Sequence, residues 1–176
     1  MTMSTTRIDT VSRRFALKAP LAFIGVSILT QPLRALAASS ANQVTVWKTP
    51  SCGCCHEWVA HLRNSGFEVL SHDVEDTAPI RQEFGLNTKF ASCHTARLDH
   101  YVIEGHVPAK ELRRLLREQP KALGLAVPGM AAGSPGMEMG DVQDAYDVLL
   151  VLANGSSRIY QSYPSKSSFK SRNKSS

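Results

Sequence analysis

Three cysteines crowd into four residues, Cys52-Gly53-Cys54-Cys55, where a strand pattern gives way to a helix pattern. Before them, Gln43 to Lys48 reads Gln-Val-Thr-Val-Trp-Lys, alternating and β-branched, and Thr49-Pro50-Ser51 breaks it. After them, Cys55, Trp58, Val59 and Leu62 recur at i, i+3, i+4 and i+7, one face of a helix, which Gly66 closes. The chain must therefore fold so that a thiol-rich turn starts a helix. Free backbone N–H groups at a helix start stabilise negative charge. A thiol there loses its proton more readily, and the thiolate is the form that attacks disulfides and binds metals.

The Cys52/Cys55 pair alone suits a thiol-disulfide exchanger and a metal site equally. Cys54 separates them. An exchanger needs two cysteines, and a third beside them would trap wrong disulfides. A metal cluster uses a third thiolate directly, since sulfur can bridge two soft ions.

The pattern downstream gives the frame. Phe67 to Val74 reads as a second strand, and Asp76-Thr77 caps a short helix through Phe84 that has Pro79 in its first turn and Gly85 at its end. Asn87 to Thr95 reads as a polar loop carrying Cys93. Ala96–Leu98 and Tyr101–Glu104 read as strands, and Pro108 opens a helix through Glu118. Lys121 to Gly140 has no clear period and reads as one long loop. Tyr146–Leu152 and Arg158–Tyr163 flank Asn154-Gly155, the strongest short hairpin signal. The expected fold class is α/β and thioredoxin-like: a mixed central sheet, flanking helices and a C-terminal β-hairpin. In that order of elements the loop before the third strand packs on the Cys-x-x-Cys turn. Thioredoxins place a cis-proline there; this chain has Ala91-Ser92-Cys93-His94-Thr95 instead, which brings a fourth thiol within reach of the first three.

The chain of 176 residues is 43% hydrophobic, enough for one packed domain with appendages. Its net charge of +5 is concentrated at the ends. Of 20 basic and 15 acidic residues, nine basic and one acidic lie in residues 1–37 and 164–176, which leaves 11 and 14 in a mildly acidic body. No basic face suited to nucleic acid is expected. Ser12-Arg13-Arg14-Phe15-Ala16-Leu17-Lys18 has the form of a twin-arginine export motif, followed by an apolar stretch from Ala19 to Leu29 and by Ala35-Leu36-Ala37, the small-x-small pattern of signal peptidase. That stretch is shorter than the about 20 residues of a stable membrane span. Residues 1–37 are thus expected to be an export signal, residues 38–163 the metal-binding domain in a bacterial periplasm, and residues 164–176 a disordered basic tail. An even cysteine count in an exported protein first suggests two disulfides. Adjacent Cys54 and Cys55 and the crowding of three cysteines argue against such a stapling framework.

Further soft donors accompany the thiols. All three methionines beyond the signal, Met130, Met137 and Met139, sit in one Gly/Pro-rich loop. Thioether suits Cu(I). His106 stands at a strand-to-helix corner that can face the cysteines. His94 adjoins Cys93, but neighbours on a strand point oppositely, so only one of the two is expected at the site. His56 is expected to face solvent, and His61, His72 and His100 to be surface residues. Four thiolates also suit zinc or an iron–sulfur centre. Zinc sites, however, use two spaced knuckles, and the spacing matches no usual iron–sulfur run.

Four motifs, in order, are recognisable: Val44-Thr-Val-Trp-Lys-Thr-Pro-Ser-Cys-Gly-Cys-Cys55, Ser92-Cys-His-Thr-Ala96, Tyr101-Val-Ile-Glu-Gly-His-Val-Pro-Ala109, and Gly124-Leu-Ala-Val-Pro-Gly-Met130 continuing through Gly133-Ser-Pro-Gly-Met-Glu138. Across nearly the whole body the chain resembles the CopG-like family of predicted metal-binding proteins. The resemblance implies a thioredoxin-like fold, a periplasmic home, a role in copper resistance or homeostasis, and a copper site carried over to Cys52, Cys54, Cys55 and Cys93. His106, Met130 and Met137 stand in the family motifs as further candidate ligands; Met139 lies just past them. The reading is a binding protein for Cu(I), with Cu(I)/Cu(II) cycling as an extension, other periplasmic copper-handling proteins as partners, and binding favoured over catalysis. Its rivals are a periplasmic thiol-disulfide oxidoreductase that attacks through Cys52 and resolves through Cys55, and a structural zinc protein.

Overall fold

The structure is a computed structural model that describes residues 42–166. The expected export signal lies outside the described residues, as does the tail beyond Lys166. Among the described residues, no helix is long and apolar enough to cross a membrane.

Among the described residues, seven strands form one mixed sheet in the order β2-β1-β3-β4-β5-β6-β7. β1 (Gln43–Lys48) pairs in parallel with β2 (Glu68–Asp73) and antiparallel with β3 (His94–Leu98). β4 (Tyr101–Glu104) lies antiparallel to β3 and parallel to β5 (Gly124–Ala126). β6 (Tyr146–Val151) and β7 (Ser157–Tyr163) complete the sheet as an antiparallel pair around Asn154-Gly155. The helices of the described residues are α1 (Gly53–Asn64), α2 (Ala78–Glu83) and α3 (Ala109–Glu118), with a 3-10 turn at Thr88–Phe90.

Periodicity explains the packing. α1 buries Cys55, Trp58, Val59 and Leu62, the four positions at helical spacing. Trp58, Val59 and Leu62 meet Val44, Val46, Ala96, Leu98 and Ile103 of the sheet, with Leu112 and Leu115 of α3, in the main core. Side chains alternate across a sheet, so Val102, Ala126 and Val151 point to the other face, where Leu86 and Phe90 cover them. Fully burying one such side chain contributes about 1.5–3 kcal/mol.

Two local differences from the sequence reading matter. β3 begins at His94, not Ala96, which leaves Cys93 as the last loop residue. The stretch read as one loop from Lys121 to Gly140 contains β5, wedged between β4 and β6. A Cβ at Gly124 would overlap the Val102 carbonyl, so the strand approaches its neighbour only because this residue is glycine.

Candidate metal centre

Cys52 is the N-cap of α1 and makes no side-chain cap, so its sulfur is left for other partners. Cys54 and Cys55 follow in the first turn, Cys55 fully buried. From the far side comes Cys93, 39 residues along the chain from Cys54 and 3.9 Å from it, sulfur to sulfur. The sulfurs of Cys52 and Cys54 are 3.5 Å apart. All four lie within 4.8 Å of one another. Cys52 and Cys55 are joined by a disulfide with a Cα–Cα distance of 5.3 Å, while Cys54 and Cys93 are free. In this state two of the four sulfurs are bonded to each other, and that bond must be reduced before both can serve as thiolates.

Two imidazoles extend the cluster. His106 donates from Nδ1 to the Pro135 carbonyl, 2.8 Å away, and is fully buried. That bond fixes the tautomer: in the neutral ring the Nε2 lone pair is left facing the Cys93 sulfur at 3.1 Å. His94 Nδ1 lies 3.3 Å from the same sulfur. Its ring packs at 4.3 Å against Trp58 and 5.1 Å against His106, and its Nε2 is buried without a hydrogen-bond partner. Donor atoms of Cys93, His94 and His106 also lie within 4.8 Å of one another.

Burial sets the protonation states. Desolvation, then the neighbouring Cys54, pushes the Cys93 thiol up to about 12, so without a metal it carries its proton at neutral pH. Desolvation, then His106, pulls His94 down to about 3, and desolvation also lowers His106. Both rings are therefore neutral at pH 7, the form that ligates.

The loop after β5 lies over the trio. A Cβ on Gly136 (φ +84°) would come within 2.7 Å of the Cys54 carbonyl oxygen and of the Trp58 nitrogen, so only glycine lets the loop sit this close. Met137 follows it and is half-buried, whereas Met130 is 57% exposed and Met139 65%. The structure thus brings together Cys52, Cys54, Cys55, Cys93 and His106, sets Met137 next to the covering turn, and leaves the Met130 thioether at the surface.

Sequence reasoning set His94 aside, and the structure corrects this. Alternation separates neighbours only within a strand, and Cys93 precedes β3, so the two side chains converge. The adjacent Cys-His pair was the available signal. His61 also differs from its expected surface role: it is half-buried and accepts the Ala109 N–H at 3.1 Å, and burial lowers its pKa. His72 and His100 are exposed. His56 is exposed, with Nε2 3.2 Å from the Nζ of buried Lys48, which also pairs with Asp73 at 2.5 Å.

Fold and site together define a mixed α/β protein with a convergent sulfur-and-imidazole donor set, the equipment of a soft-metal binder. Residues 90–137 match a family described as "Protein of unknown function, DUF411". Two solved structures are similar. One, described as "Copper resistance protein copG- Form 2", is 41% identical with a TM-score of 0.67, over 69% of this chain and 98% of that one. The other, "Copper resistance protein copG- Form 1", is 42% identical with a TM-score of 0.66, over 69% and 97%. No curated protein matches the chain. The chain belongs to the CopG family of copper resistance proteins.

Proposed function

We propose that this protein binds copper in its reduced state, Cu(I), in the bacterial periplasm, through the thiolates of Cys52, Cys54, Cys55 and Cys93 once the Cys52–Cys55 disulfide is reduced. The observation that carries this reading is convergence: a sulfur 39 residues from the helix-start trio meets it within bridging range. Thiolate and thioether are soft donors, and imidazole also suits copper. The two similar solved structures, both described as copper resistance protein copG, add weight to copper over zinc. His106 and Met137 complete the donor set from the covering loop and the β4 corner, and Met130, at the surface, is its weakest member. The order β2-β1-β3-β4, parallel then antiparallel, supports reading this half of the sheet as thioredoxin-like. Twin-arginine export and a mature start at Ala38 remain parts of the same proposal. Copper is cargo here, held for resistance or passed to other periplasmic copper-handling proteins, and Cu(I)/Cu(II) cycling is its extension.

Anaerobic Cu(I) titration of the reduced chain from Ala38, with metal counting, tests it. The expected result is tight retention of more than one Cu(I), as bridging thiolates allow, and loss of most of it on replacing Cys54 and Cys93 with serine. Failure of the reduced protein to retain Cu(I) overturns it.

The Cys52–Cys55 disulfide favours one other reading, a thiol-disulfide oxidoreductase. The Cys52 thiolate would attack a substrate disulfide and release one substrate thiolate. Cys55 would then displace the second, closing the disulfide seen here and leaving the substrate reduced by two electrons. Serine at positions 54 and 93 would leave that exchange intact, so the same double variant separates the readings.

A further inference from the structure

A buried ion pair outside the donor set holds the segment that delivers Cys93. Residues 91–93 belong to neither the 3-10 turn nor β3, so their backbone groups find no partners in a ladder and must be satisfied elsewhere. The partners are specific. Ser92 N–H donates to Glu104 Oε1 at 2.7 Å, and the Ser92 carbonyl accepts from Arg81 Nη2 at 3.1 Å. One residue's two backbone groups are thus held by two side chains that are themselves paired, Arg81 Nε to Glu104 Oε1 at 2.8 Å.

The pair is fully engaged. Glu104 is completely buried, and its second oxygen accepts from Thr95 Oγ1 at 2.7 Å. Arg81, from α2, also donates to Thr77 Oγ1 at 3.1 Å. Burial pushes the Glu104 carboxyl up, against the pull of Thr95, Ser92 and Arg81, which donate to its charged form. Such a pair is a poor way to stabilise a core, because desolvation offsets most of the attraction and apolar replacements of similar size are often neutral or better. Its position suggests another use. Glu104 ends β4 two residues before His106, and Ser92 is the residue before Cys93. The pair therefore fastens together the two segments whose tips bring the Cys93 sulfur and His106 Nε2 to 3.1 Å. Gly105 lies between (φ +69°), and a Cβ there would come within 2.6 Å of Ser92 Oγ, so the backbone too is shaped for this approach.

We propose that Arg81 and Glu104 are positioning residues of the metal centre: they set the Cys93 loop against His106 and Cys54 and so determine Cu(I) affinity without touching the ion. The inference rests on the copper reading of the cluster. It makes the pair a support of the kind whose loss typically weakens metal binding about 10- to 100-fold.

The test is Cu(I) competition against a chromophoric Cu(I) chelator, with the thiolate-to-copper absorption recorded, on the reduced protein. Four forms are compared: wild type, Glu104→Gln, Arg81→Lys, and Leu115→Ala as a core variant on α3, outside the donor groups. Arg81→Lys keeps the charge but cannot reach Glu104 and the Ser92 carbonyl together. It answers the question by itself if Glu104→Gln fails to fold. The expected result is affinity lowered about tenfold or more in both pair variants, with an altered absorption band. Leu115→Ala, destabilised at least as much, should bind as wild type does. Wild-type affinity and spectrum in the folded pair variants overturn the positioning role, as does an equal loss in Leu115→Ala, which would make the effect one of stability alone. A wild type that retains no Cu(I) overturns the copper reading instead, so the two failures are distinct.

Discussion

At Cys93 a single sulfur is approached by Cys54 at 3.9 Å, His106 at 3.1 Å and His94 at 3.3 Å, and burial keeps both imidazoles uncharged in the absence of metal. The histidines make this visible in stability. In the unfolded chain each titrates near 6.5, while in the fold desolvation holds His94 near 3 and also lowers His106 and His61. Above pH 6.5 both states are neutral and pH has no effect through them. As pH falls below that value the unfolded chain takes up protons that the folded chain refuses, so stability drops, by about 2 kcal/mol at pH 5 for His94 alone. Urea midpoints of the metal-free protein at pH 7.5 and pH 5 should show the drop, and His94→Asn should flatten it by one proton's worth whatever it does to absolute stability. An unchanged slope in the variant would show that His94 does not carry the effect. Cys52, Cys54 and Cys55 were legible because their spacing carries chemistry directly, and Cys93 from its place before the third strand in the expected order of elements. His94 was not, because its placement depends on where β3 begins, two residues earlier than the β-branched pattern indicates.

Elements that bury a regular stripe announced themselves, and those held by close backbone approach did not. α1 was legible from Cys55, Trp58, Val59 and Leu62, which the helix buries in full. β5 was not: Gly124, Leu125 and Ala126 are buried on both faces and too few to alternate, and their strand conformation comes from β4 and β6 on either side. Its cost of substitution is correspondingly high. Gly124→Ala forces a methyl into the Val102 backbone and should lower stability by about 3 kcal/mol, the upper part of the usual overpacking range. The midpoint of urea unfolding at unchanged slope measures it. A loss under about 1 kcal/mol would mean that β5 can move away from β4 without consequence.

Over the whole molecule, the same four sulfurs serve two incompatible states. With Cys52 and Cys55 joined, two thiolates are missing from the cluster; reduction of the disulfide by two electrons restores them. Copper capacity should therefore follow the redox state of the protein. Air-oxidised protein is expected to hold Cu(I) at least about tenfold more weakly than reduced protein, because thiolate and not disulfide sulfur is the ligand. Parallel competition assays on the two forms check this, and equal retention would remove Cys52 and Cys55 from the site. The succession of strands and helices along the chain was legible in outline from the alternation of their patterns. The meeting of Cys93 with the turn at Cys52 depends on β3 lying beside β1, a long-range pairing that no local pattern states.

The most direct test is X-ray absorption at the copper edge of the reduced, Cu(I)-loaded protein. The account predicts nearest neighbours dominated by sulfur, with a copper–copper distance from bridging thiolates, and in the Cys93→Ser protein a smaller sulfur count and loss of that copper–copper distance. A shell of nitrogen and oxygen alone, or a sulfur shell unchanged by that substitution, would contradict it.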